Sequence, residues 1–131
     1  MSAKTLALVL GIIVVIVGIL GFISNPLVGA AGMFLTNAAL DVVYIIIGAV
    51  LIIVSVSAPA QSGLWLKIGG VIYLILAILG FLMASPVLGL LAVNMATNWL
   101  HVVLGIVMLA AGFWGTEGAA GMEMNRPAAM M

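Results

Sequence analysis

Cysteine is absent and charge nearly so: three Lys/Arg and three Asp/Glu make up 5% of the 131 residues. Without thiols the chain has no disulfide framework, no zinc–thiolate or iron–sulfur centre and no thiol catalysis. A soluble domain carries roughly a quarter charged residues because its surface must be wetted, and six charges cannot do that here. A net charge of zero excludes the basic surface of a nucleic-acid binder and the charge runs of a solvating tail, so no nucleic-acid partner is expected. What the chain does have is apolar side chains, 67% of the total. Its solvent is lipid.

Four apolar stretches stand out, approximately Leu6–Ser24, Ala38–Ser57, Leu64–Met83 and Thr97–Trp114. Each approaches the ~20 residues that cross a ~30 Å hydrocarbon core. Between them lie breakers: Ser24-Asn25-Pro26, the segment from Ser57 to Gly63, and Ser85-Pro86. Lipid offers backbone amides no partner, so the expected fold is an all-α membrane protein of four transmembrane helices. Runs such as Ile12 to Val17 lack the alternation of a membrane barrel strand. The first stretch exceeds the ~7–15 apolar residues of a signal-peptide core and reads as a retained helix. Residues 1–115 form the membrane domain in this reading, and 116–131, rich in Gly, Ala and Met, a short C-terminal tail. Lys4, Lys67 and Arg126 fall on one side of four spans, and the other two connections carry no Lys or Arg. The positive-inside rule then makes both termini cytoplasmic. The expected location is the cell membrane, with an internal bacterial membrane system as the alternative.

The chain also repeats itself. Residues 8–23 match 67–82 at Gly11/Gly70, Ile13/Ile72, Ile16/Ile75, Ile19/Ile78, Leu20/Leu79, Gly21/Gly80 and Phe22/Phe81. Seven identities in sixteen positions exceed the roughly one or two expected by chance. The following helices match at Gly32/Gly89, Asn37/Asn94, Ala39/Ala96, Gly48/Gly105 and Val50/Val107. This predicts two tandem helical hairpins, about 6–57 and 64–114, related as parallel repeats because an even number of spans separates them. Small residues recur seven apart, at Gly11 and Gly18, Gly48 and Ser55, Gly70 and Ala77, and Gly105 and Gly112. Such stripes let helix backbones approach closely.

One polar stripe interrupts each second helix: Asn37, Asp41, Tyr44 and Gly48 in the first, Asn94, Asn98, His101 and Gly105 in the second. Offsets of 4, 7 and 11 share a helix face. Asp41 is the only acid within a span and His101 the only histidine. Ionisable groups at such depth turn inward, pair or line water. One reading is an interhelical hydrogen-bond cluster of Asn37, Asp41, Tyr44, Asn94, Asn98 and His101. In that reading the second helices meet across or near the repeat axis, with Asp41 and His101 at similar depth and facing protein; opposite the imidazole the carboxyl forms a charged pair, and in isolation it takes its neutral form. The others are axial ligation of haem or chlorophyll by His101 and an ion- or proton-binding role for Asp41. A single histidine does not make a metal site. Trp65, Trp99 and Trp114 read as an interfacial belt. Met122, Met124, Met130 and Met131 read as tail residues, and Glu117 and Glu123 as solvated ones. No nucleophile–base pair, phosphate loop or carboxylate pair appears, so no enzyme activity is expected.

Gly21-Phe22 and Gly80-Phe81, with the run from Asn94 to Gly105, resemble a bacterial domain-of-unknown-function family of small four-helix membrane proteins. That family carries tandem Asn-x3-Asn-x2-His-x3-Gly segments. The second segment here matches at Asn94, Asn98, His101 and Gly105, with Thr97 where the family often has His. The first keeps Asn37 and Gly48, with Leu40, Asp41 and Tyr44 where the family often has His, Asn and His. The resemblance implies the four-helix architecture and supplies no activity. The expected role is an accessory or scaffold subunit within a larger membrane complex, its partners being the bilayer and other membrane proteins or further copies of itself. Alternatives are a haem- or chlorophyll-binding subunit using His101 and a small transporter or channel component using Asp41.

Overall fold

The computed structural model describes residues 1–115. The readings placed on Glu117, Glu123, Arg126, the methionines from Met122 on and the rest of the tail lie outside the described residues. Among the described residues four long helices form: α1 (Ala3–Gly21), α2 (Ala38–Ser57), α3 (Ser62–Leu82) and α4 (Met95–Trp114). All are long and apolar enough to cross a bilayer. The chain is a mostly helical, multi-pass membrane protein in contact with lipid.

Polar caps set where three of these helices begin. Ser2 Oγ accepts from the Thr5 amide at 3.1 Å, Asn37 Oδ1 from Leu40 at 3.1 Å and Asn94 Oδ1 from Thr97 at 2.9 Å, each satisfying an amide that the first turn leaves without a partner. The Ser2 cap starts α1 at Ala3, ahead of the expected Leu6, because hydropathy alone does not register a cap. At its other end α1 stops at Gly21, short of Ser24. There Asn25 Nδ2 donates to the Leu20 and Val28 carbonyls at 2.7 and 2.9 Å, and Oδ1 accepts from the Leu27 and Val28 amides at 2.8 and 2.9 Å. One side chain thus folds the connection back onto the helix end.

α1 packs along α2, and α3 along α4. A methyl group on Gly11 would lie 2.8 Å from the Gly48 carbonyl oxygen, and one on Gly48 2.6 Å from that of Gly11. Gly70 and Gly105 relate in the same way, at 2.8 and 3.0 Å. Backbones touch at both crossings, which only glycine permits. Between these two pairs, α1 approaches α3 and α4, and α2 approaches α3, whereas α2 and α4 have no Cα atoms within 8 Å of each other. The α2 and α4 backbones therefore stand apart, and the two helices meet through side chains, Tyr44 with His101. Their inward residues are too large, with Leu40, Tyr44 and Leu51 on α2 and His101, Leu104 and Met108 on α4, whereas α1 buries Ala3, Ala7, Gly11, Val14 and Gly18.

The outside is as apolar as the inside. Small and polar side chains share the interior with Leu40, Leu51, Leu66 and Met108, while Ile16, Ile46, Ile75 and Ile106 point outward and are half or more exposed. That distribution suits lipid, which is as apolar as leucine.

The connections 22–37 and 83–94 close the same end of the bundle, here termed the loop end. In the first, β1 (Val28–Gly29) pairs in parallel with β2 (Phe34–Leu35). In the second, Val87 and Leu91 exchange backbone hydrogen bonds at 2.8 and 3.0 Å, around a turn in which Leu88 and Gly89 have positive φ. Within these connections Val28, Val87, Leu91 and Val93 are buried. At the opposite end a 3-10 turn (Pro59–Gln61) joins α2 to α3. Lys67 Nζ lies there, 4.5 Å from the centroid of the Phe113 ring.

Candidate functional site

The polar stripes occupy the loop-end half of the bundle, and the structure distributes their six residues over three kinds of contact. The cap asparagines lie uppermost. While its oxygen caps α2, Asn37 donates Nδ2 to the Leu90 carbonyl at 2.9 Å. Asn94 caps α4 and donates to the Met33 carbonyl, also at 2.9 Å. Each side chain thus ties its own helix to the connection of the other helix pair. Thr97 Oγ1 adds a bond to the Leu35 carbonyl at 2.7 Å.

One turn deeper, Asp41 and Asn98 are nearly fully buried. Neither meets the other across a hydrogen bond. The Asp41 carboxyl rests on Gly21 and the Asn98 carboxamide on Gly80, so closely that a methyl group at either glycine would overlap the polar head. Asp41 Oδ1 and Asn98 Oδ1 have no hydrogen-bond partner among the described residues. Thr36 lies beside Asp41, yet its buried hydroxyl makes no hydrogen bond of ordinary geometry.

A ring layer lies below. Tyr44 Oη and His101 Nε2 share a hydrogen bond of 2.7 Å, the one direct bond among the six residues. Tyr73 of α3 completes the layer, its ring centroid 5.9 Å from that of Tyr44 and 5.6 Å from that of His101. All three rings are fully buried, and Tyr73 Oη and His101 Nδ1 have no hydrogen-bond partner among the described residues. The rings span the gap that the α2 and α4 backbones leave. Of the two arrangements open to Asp41, the pair with His101 is not formed, because the tyrosine hydroxyl, one turn further along α2, reaches the imidazole instead.

Tyr73, Thr36 and Thr97 were not among the residues expected here. Tyr73 had a signal: it lies three residues after Gly70 and four before Ala77, on the same small-residue stripe. Thr36 and Thr97 are placed by the connections, for which helical spacing gives no signal.

Residues 4–114 match the family model described as a domain of unknown function, DUF4383. The chain belongs to this family. The match takes in all of α2, α3 and α4 and nearly all of α1, and with them every residue of the polar layer. No curated protein matches the chain, and no solved structure matches it either.

In this member of DUF4383 the histidine does not suit axial ligation in its present setting. Tyrosine rings flank His101, Tyr44 holds its Nε2, and its side chain has no exposure. A macrocycle needs an open face at the ligating nitrogen, and none is present. No group of three or more His, Cys, Asp and Glu is arranged to hold a metal ion among the described residues. The layer offers a carboxyl, a carboxamide, two phenols and an imidazole, chemistry suited to hydrogen bonding, proton exchange and packing.

Proposed function

We propose that the protein is a non-enzymatic accessory or scaffold subunit that packs within a larger membrane protein complex. The observation that carries this reading is the outward surface. Large aliphatic side chains, isoleucine above all, cover the outward faces of all four helices and are half or more exposed at Ile16, Ile46, Ile75 and Ile106. A surface of that kind recognises lipid and the helices of other membrane proteins. The architecture we infer is two tandem hairpins arisen by duplication. The Gly11–Gly48 and Gly70–Gly105 crossings occupy matching positions in it, as do the Gly21–Asp41 and Gly80–Asn98 contacts and the Asn37 and Asn94 caps. Both termini are assigned to the cytoplasm of the cell membrane, since Lys4 and Lys67 lie at the end opposite the uncharged connections. Mild detergent extraction followed by native mass measurement tests the role. Co-purifying membrane proteins, or a defined homo-oligomer, are expected. A lone monomer overturns the reading.

A second reading, a small transporter or channel component, is favoured by one observation: Asp41 is buried with an oxygen that has no partner. Flux in proteoliposomes that is abolished by Asp41→Asn would support it. Flux that is absent, or that survives the substitution, removes it.

A further inference from the structure

We propose that Asp41 is a proton-exchanging site served from the loop end of the bundle alone, on the side of a pocket that shares Gly21 with its carboxyl. The inference starts from the carboxyl emphasised by the transport reading but does not need transport, so a failed flux measurement leaves it standing.

A pocket of about 250 Å³ opens at the loop end between the end of α1 and the first connection, walled by Gly21, Phe22, Ser24, Asn25, Gly29 and Ala31. Phe22, Ser24, Ala30 and Ala31 are exposed at its edge. Gly21 belongs to this wall and is also the residue against which the Asp41 carboxyl rests. A residue without a side chain thus touches both a water-sized space and a buried acid. The matching position in the other half holds Asn98 on Gly80, and a carboxamide does not exchange a proton in this way. The acid thus makes the two halves chemically unequal.

Among the described residues nothing charged faces Asp41. Its own helix contributes Tyr44, one turn deeper. From α3 comes Tyr73, and from α4 His101, already bonded to Tyr44. The connections 22–37 and 83–94 hold no titratable residue, and on α1 the titratable side chain is Lys4, near the opposite end. A carboxylate without a counter-charge inside a membrane bundle is costly, and the cost is relieved by taking a proton from water. Beyond the ring layer the buried side chains are apolar, among them Val14, Leu51, Leu66, Leu104 and Met108, until Ser55 and Ser62 near the other end. A proton that loads from the loop end has no polar path onward. It leaves by the way it came.

The chain contains a single aspartate, so isotope-labelled aspartate gives Asp41 its own infrared signature without any substitution. The full-length protein in phosphatidylcholine vesicles is expected to show a labelled protonated-carboxyl band that declines as bulk pH rises and shifts on transfer to heavy water. The band is lost in Asp41→Asn. Filling the pocket with Ala31→Phe, at an exposed position, is expected to retain the band and slow its heavy-water shift. A band indifferent to bulk pH and heavy water overturns the proposal, as does a shift equally fast in Ala31→Phe. Loss of the band on adding sodium chloride at fixed pH overturns it in favour of a cation site. Where Asp41→Asn does not fold, the labelled wild type still decides, because its band needs no variant for assignment.

Discussion

At the scale of single residues, the close contacts of Gly21 and Gly80 define what the polar layer tolerates. A methyl group at either position collides with the head of Asp41 or Asn98, so Gly21→Ala and Gly80→Ala are each expected to destabilise the bundle by about 1–3 kcal/mol, the usual range for overpacking. The Gly80→Ala/Asn98→Ala double variant should recover part of that loss, because the clash disappears with the carboxamide. Denaturation in mixed micelles of rising dodecyl sulfate content, followed by tryptophan fluorescence, measures both effects. The Tyr44–His101 bond offers a second test. Tyr44→Phe leaves a buried ring nitrogen without its partner, at an expected cost of about 1–2 kcal/mol. Tyr44→Phe/His101→Leu should cost less than the sum of its single variants, giving a coupling energy that near-additive values would contradict. The spacing of Asp41, Tyr44, Asn98 and His101 was enough to place them on shared helix faces. Which of them meet was not legible, because that depends on side-chain reach across a gap whose width is set by other residues.

At the scale of elements, glycine crossings and asparagine caps do different work. The crossings hold α1 to α2 and α3 to α4. Gly48→Val and Gly105→Val place branched side chains where a carbonyl of the facing helix lies 2.6 and 3.0 Å from the first added carbon. Each is expected to separate its pair of helices, read as loss of a cross-link between cysteines introduced on the two facing helices. The caps hold helix starts and connections together. Asn37→Ala and Asn94→Ala should each cost about 1 kcal/mol through the lost cap, and additionally release the opposite connection, since Leu90 and Met33 lose their donors. Faster amide hydrogen exchange around Leu90 in Asn37→Ala, and around Met33 in Asn94→Ala, is the expected signature. The helices themselves were legible as apolar runs between breakers. Their exact ends were not, because Ser2 and Asn25 act through side-chain hydrogen bonds to the backbone that a hydropathy average does not weigh.

At the scale of the whole molecule, the absence of cysteine makes orientation directly measurable. Single cysteines at Ser2 and at Ala31 report the two ends of the bundle without background. In intact cells Ala31→Cys is expected to react with a membrane-impermeant maleimide and Ser2→Cys only after permeabilisation. The reverse pattern overturns the cytoplasmic assignment of the N-terminus. The assembly reading adds a condition at the same scale. Replacing outward-facing Ile46 or Ile106, both more than half exposed, with alanine should leave monomer stability nearly unchanged and weaken whatever oligomer or complex native mass measurement detects.

The sequence by itself determined the solvent and the architecture, because both follow from sums over many residues. Six charges cannot wet a surface, and four runs of about twenty apolar residues satisfy their backbones in lipid only as helices. It also determined which faces turn inward, since small and polar residues at helical spacing have nowhere better to go in lipid. Only the tertiary structure decided that Tyr44 and not Asp41 meets His101, that Tyr73 joins them from α3, and that Asp41 rests on a glycine of the loop-end pocket. These are consequences of how far apart α2 and α4 stand, which bulky inward side chains, glycine crossings and two folded connections fix together. A polar group in a membrane interior bonds what lies within about 3 Å, and no pattern along one helix specifies what the other helices bring to that distance.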